Sequence, residues 1–172
     1  MGSVVWITGL SGAGKTTLAA ELVEILRSKG RDVVSLDGDE LRHVLGPEGD
    51  QPSSYGREDR LAIAMRYSRL CQMLANQNLT VVIATISLFS EVHEWNRKNI
   101  AGYFEVFLDV PVEELKRRDP KNIYRNFFEG KISNVAGLDF TVDFPRESDL
   151  VFDLNVSLSP TFMANQIIEK IS

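Results

Sequence analysis

A doubly wound α/β fold, a parallel five-stranded sheet with flanking helices and a lid segment, is predicted by three features of this sequence. Short β-rich runs alternate with helical patterns. Several of those runs are apolar on both faces, as parallel strands covered by helices must be. The first run also passes through a glycine-rich turn straight into a helix. The chain of 172 residues suits a single domain over 1–172. A hydrophobic share of 44% is enough for one buried core, and a net charge of −5 offers no basic excess to a nucleic acid polymer or a membrane surface. No apolar stretch reaches the length of a membrane span and no signal peptide precedes the first strand, so a cytoplasmic location is expected. Cys71 is the only cysteine and lies in a helical run, where it reads as a buried, inert thiol.

The elements follow in order. The first strand is expected over residues 4–8. The helix Lys15–Ser28 places Leu18, Leu22, Ile25 and Leu26 on one face and stops before Gly30, a natural C-cap. A second strand is expected over 32–36, and residues 46–56, polar and rich in Gly, Pro and Ser, form a loop. A long helix over 58–76 precedes strands at 79–84 and 104–108. Pro111 then introduces Val112–Arg118, whose Glu113 and Glu114 suit a first helical turn. Residues 119–147 have mixed charge, scattered aromatics and no clean period, the mark of a functional cover or of disorder. The last strand, 150–154, leads to a helix that opens at Ser159-Pro160 and runs to Ile171.

The turn after the first strand reads Gly9-Leu10-Ser11-Gly12-Ala13-Gly14-Lys15-Thr16 and satisfies G-x-x-x-x-G-K-[ST] in its proper strand–turn–helix context. Glycines let consecutive backbone N–H groups aim at phosphate oxygens, and the helix N-terminus adds partial positive charge. The pattern assigns Gly9, Ser11, Gly12, Ala13, Gly14, Lys15, Thr16 and Thr17 to ATP. Lys15 is the group that reaches the β- and γ-phosphates, and Thr16 the hydroxyl that takes Mg²⁺. The loop is silent on what receives the phosphoryl group.

A second signal answers in part. Leu36-Asp37-Gly38-Asp39-Glu40-Leu41-Arg42 falls at the carboxyl end of the second strand, where ligands of such sheets gather. A carboxylate there can orient or deprotonate an attacking hydroxyl, or hold Mg²⁺ through water. Arg42 can grip an anionic acceptor with its planar fork. The plainer alternative is a solvated acidic turn with a capping Asp.

Together the two segments resemble the adenylylsulfate (APS) kinases, whose second motif is usually D-G-D-N-x-R. The resemblance continues through Tyr55-Gly56-Arg57-Glu58-Asp59-Arg60, Glu105–Pro111, Arg118–Tyr124 and Gly137-Leu138-Asp139. It implies a P-loop kinase core with a mobile lid near 119–147, transferring the γ-phosphoryl of ATP to the ribose 3′-hydroxyl of adenylylsulfate, and family members are often dimers. On the same resemblance Asp37 is the acid beside the attacking hydroxyl, with Asp39 next to it on the acceptor side. Arg42 and Arg60 bind the phosphosulfate, and Tyr55 replaces a Phe that stacks on the base. Ile86 and Ser87 line the acceptor pocket, while Arg118 and Lys121 are lid cations, Arg118 binding ATP and Lys121 the acceptor.

The chain also departs from the family. Ile63 stands where an Asn helps hold the acceptor's anion, and Leu88-Phe89 replaces Pro-Tyr. Val135-Ala136-Gly137-Leu138-Asp139 replaces F-T-G-I-D, so the second ring that sandwiches adenine is gone. Losing a stacking face costs about 1–3 kcal/mol. A second acceptor is therefore open: a kinase similar to this family phosphorylates the 3′-hydroxyl of cytidine diphosphoramidate in capsule phosphoramidate synthesis. Phe127, Phe128, Phe140 and Phe144 read as lid packing and are the nearest candidates to replace the missing ring. A GTPase switch is the rival class, but the chain lacks N-K-x-D. A silent nucleotide-binding module would not need Lys15, Thr16, Asp37 and Arg42 together. His43 and His93 lack ligand-like spacing for a metal, and Asp109 either faces the site or caps the helix after Pro111.

Overall fold

The computed structural model describes residues 2–45, 56–155 and 157–171. In chain order these form β1 (Ser3–Thr8), α1 (Lys15–Ser28), β2 (Val33–Asp37), α2 (Gly38–Leu45), α3 (Arg57–Ala75) and β3 (Thr80–Ala84). They are followed by α4 (Ser90–Asn99), β4 (Tyr103–Asp109), α5 (Val112–Arg118), α6 (Ile123–Phe128), β5 (Leu150–Asp153) and α7 (Pro160–Ile171). The sheet has the order β2-β3-β1-β4-β5, with every neighbouring pair parallel. From β1 the chain crosses to β2 on one side, and from β3 it crosses to β4 on the other. The carboxyl ends of β1 and β3, adjacent in the sheet, therefore diverge and open a crevice between them.

The alternation of side chains along β1 explains why its sequence is apolar throughout. Val5 and Ile7 face the layer of α1 and α7, packed with Leu18, Leu22, Leu26 and Ile167. Val4 and Trp6 face the layer of α3 and α4, packed with Ile63, Tyr67 and Val92. All four β1 residues are fully buried, which is the reason parallel strands of this kind lose the polar half of the pattern.

The five expected strands are all present within a residue or two. The C-cap at Gly30 forms as expected, its N–H bonding Arg27 O at 2.9 Å and that of Arg31 reaching Leu26 O at 3.1 Å. Ser159 Oγ accepts the Phe162 N–H at 3.2 Å, capping α7. No side chain caps α5, so Asp109 does not serve there. Three helices, α2, α4 and α6, occupy stretches where the sequence pattern indicates none, and α6 gives the lid segment a helical turn and a half. Cys71 is buried in the α3 layer, and burial pushes its thiol up to about 12, leaving it inert at neutral pH. The expected loop at 46–56 lies outside the described residues except for Gly56, and Tyr55 lies outside them too. Among the described residues, no helix is long and apolar enough to cross a membrane.

Candidate active site

The phosphate loop is shaped by backbone that only glycine adopts freely. Gly12 and Gly14 have φ of 78° and 97°, a region an L side chain enters at a cost. The turn delivers the chain into α1 at Lys15, so the first N–H groups of that helix face the crevice. Lys15 Nζ donates to Leu10 O at 2.7 Å, folding the side chain across its own loop. Burial pulls its ammonium down to about 8, with Asp39 opposing, Lys121 assisting and Asp37 opposing that fall.

β2 brings its terminal Asp37 beside this loop, because β2 pairs with β3 in the register Asp37↔Ala84. Thr16 Oγ1 donates to Asp37 Oδ2 at 2.7 Å, and Asp37 Oδ1 accepts the Asp39 N–H at 2.9 Å. Asp39 in turn accepts from Arg42 Nη1 at 3.1 Å and from Lys121 Nζ of the lid. Burial raises the Asp39 carboxyl, but the bond and charge of Lys121 and the charge and bond of Arg42 outweigh it and hold it below the usual range. Lys15, Thr16, Asp37, Asp39, Arg42 and Lys121, drawn from four segments, thus form one connected cluster. Thr16 Oγ1 and the Asp37 carboxylate are neighbouring hard oxygens of the kind Mg²⁺ takes. Among the described residues no cluster of three or more His, Cys, Asp or Glu is placed to hold a metal.

The lid reaches the loop through residues the motifs do not flag. Tyr124 OH donates to Ser11 O at 2.9 Å. Burial, helped by the Asp119 charge, pushes this phenol up to about 12, so it remains a donor. Asp119 caps the start of α6, accepting N–H groups from Tyr124 at 3.1 Å and Arg125 at 2.9 Å. The only signal for Tyr124 in the sequence is its place at the end of the Arg118–Tyr124 block. Arg118 itself points back along α5, donating to Glu114 Oε1 at 2.7 Å.

In the region the resemblance assigns to the acceptor, Arg60 of α3 donates to Asn134 O at 2.8 Å and lies 4.3 Å from the centre of the Phe140 ring. Burial and the charge of Arg42 depress its pKa against the attraction of Asp139, so the two arginines share one region. Asp139 closes the lid turn by accepting N–H groups from Asn134 at 2.8 Å and Val135 at 2.6 Å. Ile86 O accepts the Thr8 hydroxyl, which ties the strand after β3 to the end of β1. Ser87 is buried and shares a hydrogen bond of 2.7 Å with Thr85. Ile63 and Val135, two of the departures, are buried apolar side chains at 7% exposure each and offer no polar contact. Phe127 meets Phe128 edge-on and Phe144 lies against Phe107, with Phe128 and Phe144 themselves exposed. A surface groove of about 530 Å³ lined by Arg27, Arg31 and Leu79 lies at the other end of the sheet and contains none of these residues.

Known proteins share this architecture. The model of the adenylylsulphate kinase family matches residues 1–153. The chain belongs to the adenylylsulphate kinase family. It is 37% identical over 150 residues to the cytidine diphosphoramidate kinase of Campylobacter jejuni, covering 87% of this chain and 85% of that protein. It is 37% identical over 168 residues to an adenylyl-sulfate kinase of Pseudomonas aeruginosa, covering 96% and 83%. The structure of the Mycobacterium tuberculosis APS kinase CysC with AMPPNP and APS superposes with a TM-score of 0.87 at 33% identity, covering 98% of this chain and 96% of that one. As a member of the adenylylsulphate kinase family, the protein is an ATP-dependent phosphotransferase.

Proposed function

We propose that this enzyme transfers the γ-phosphoryl of ATP to the ribose 3′-hydroxyl of a small anionic nucleotide, with adenylylsulfate as the acceptor. The observation that carries the proposal is the 2.7 Å bond from Thr16 to Asp37. It joins the loop that suits a triphosphate to a carboxylate at the next strand end, the arrangement a transfer to a hydroxyl requires. Lys15 and the loop N–H groups hold the β- and γ-phosphates. Arg42 and Arg60 hold the acceptor's anion, and Lys121 closes over the junction. The acceptor oxygen attacks the γ-phosphorus in line, the bond to the β-bridging oxygen breaks, ADP departs and Asp37 takes the hydroxyl proton. Alignment and charge neutralisation supply most of the acceleration. Thr16, with Asp37 beside it, would hold Mg²⁺, which would add to that neutralisation.

Cytidine diphosphoramidate is the second reading, and a specific observation favours it. Ile63 and Val135 are buried apolar side chains. By the resemblance, Val135 stands where the family carries a ring against adenine, which suits a smaller base, and Ile63 where an amide holds the anion, which suits a different terminal group. The test offers ATP with both acceptors in competition and follows each 3′-phosphorylated product. Adenylylsulfate is expected to be consumed first. Preferential phosphorylation of the cytidine compound selects the second reading, and ATP binding without product from either acceptor overturns both.

A further inference from the structure

Four side chains form a row between α3 and the tail of the lid, two adjoining rings with a cation at each end. Arg57 lies 5.3 Å from the centre of the Phe89 ring, Phe89 meets Phe140 edge-on at 6.4 Å, and Arg60 lies 4.3 Å from the centre of Phe140. One end is anchored. Arg57 makes a two-pronged pair with Glu91 at 3.0 Å on each prong and a bond to Asp143 at 3.1 Å. Asp143 also bonds the backbone at Leu88 and Ser90 through its N–H and carboxylate. The Phe140 backbone is fixed as well, its N–H donating to Val135 O and its carbonyl accepting from Gly137, both at 3.1 Å. The ring is therefore a rigid shelf, packed against the cores on both faces of the sheet.

Arg60 is held at one edge by the Asn134 carbonyl at 2.8 Å, and the shelf fixes its plane. Arg60 shares its region with Arg42, and repulsion between the two guanidinium groups favours rotamers that swing Arg60 away. A cation over the face of a ring is held there by the ring's quadrupole, which counters that drift. We propose that Phe140 is a positioning residue of the acceptor site, holding the Arg60 guanidinium where it meets the acceptor's anionic group. This rests on the reading of Arg60 as an acceptor-binding residue. Its consequence is that the lid's ring acts on the acceptor through Arg60 and not on ATP.

The test measures steady-state kinetics with adenylylsulfate, or with cytidine diphosphoramidate where that is the acceptor turned over. Phe140→Leu keeps an apolar filling and removes the ring. It is expected to raise the acceptor KM about fivefold, with kcat and the KM for ATP within about twofold of the parent. Phe140→Tyr, which keeps the face, is expected to restore the parent KM. In an Arg60→Met background, Phe140→Leu is expected to add nothing, because the group it positions is gone. If Arg60→Met raises the acceptor KM but Phe140→Leu does not, or if the two effects add in full, the positioning role is overturned while the role of Arg60 stands. A loss in kcat and melting temperature with an unchanged acceptor KM marks Phe140 as lid packing only and also overturns it. If Arg60→Met leaves the acceptor KM unchanged, the reading of Arg60 falls, and this inference with it.

Discussion

Lys15 is a cation kept where a cation is costly. Burial brings its pKa down to about 8, and its hydrogen bond to Leu10 O compensates only in part. A bound triphosphate reverses the balance, because phosphate charge beside the ammonium favours its protonated form. The lysine's pKa is thus lower in the free protein than in the complex, and ATP binding takes up a proton between the two values. The expected result is an ATP affinity that is flat from pH 7 to about 8 and then falls, approaching tenfold per pH unit. Calorimetry at pH 8.5 in two buffers of different ionisation enthalpy would show proton uptake in the parent and none in Lys15→Met. An affinity independent of pH up to 9.5 would remove this account. Residues of this kind were legible because their chemistry is contiguous: loop, lysine and hydroxyl lie within one turn, as do Asp37, Asp39 and Arg42. Lys121 binds Asp39 from 82 positions away, and only family resemblance, not spacing, pointed to it. Phe140 was visible as an aromatic, but its contact with Arg60 depends on how the lid turn closes.

At the scale of elements, the strands were legible and three of the four shortest helices, α2, α4 and α6, were not, for a reason that α4 shows. Its buried face is Val92, His93 and Asn96, two polar residues in three, so a search for apolar spacing passes over it. Those side chains are tolerated because β4 answers them. His93 Nδ1 lies 2.7 Å from Glu105 Oε2, Tyr103 OH donates to the same oxygen at 2.6 Å, and Ser148 donates to Oε1 at 3.0 Å. The glutamate in an otherwise apolar strand was the available signal. Helix α6 is too short to show a period, and α2 opens on a glycine. Glu105 is 2% exposed, so removing it strands its partners: Glu105→Ala should cost about 3 kcal/mol by urea unfolding at pH 7. Burial raises its carboxyl, but the bond and charge of His93, with Tyr103 and Ser148, outweigh this and hold it below the ordinary 4.5. A lowered native pKa means stability that is present above 4.5 and lost as pH falls below it. The stability gap between the parent and Glu105→Gln should therefore shrink on acidification from pH 5 to 3.5. A gap that stays constant would show that the carboxylate's charge is not what holds α4 to β4.

For the whole molecule, the question is what seats the lid on the phosphate loop, since an open lid would admit water to a bound triphosphate. Lys121 reaches across to Asp39, Tyr124 OH bonds Ser11 O, and Pro120 packs beside Gly12, where an added Cβ would stand 3.4 Å from its ring. Gly137 completes the seat. Its φ is +81°, and a Cβ there would lie 2.9 Å from a methyl of Leu10, the residue whose carbonyl also receives Lys15. The methyl can swing aside, but the left-handed backbone cannot be relieved without moving the turn, a strain of about 1–2 kcal/mol for an L side chain. The sheet does not share that strain, so Gly137→Ala should act on the lid before it acts on the fold. Trypsin has targets at Lys121, Arg125 and Lys131, and cutting there reports the open population when reclosing is fast. The expected result is roughly five- to thirtyfold faster cleavage within the lid, a rise in ATP hydrolysis without acceptor, and a melting temperature lower by only a few degrees. Tyr124→Phe, which gives up one hydrogen bond worth about 1 kcal/mol, should move the same readouts in the same direction by less. Cleavage and hydrolysis unchanged in both variants would mean that the loop does not hold the lid, and that closure depends on the bound nucleotides alone.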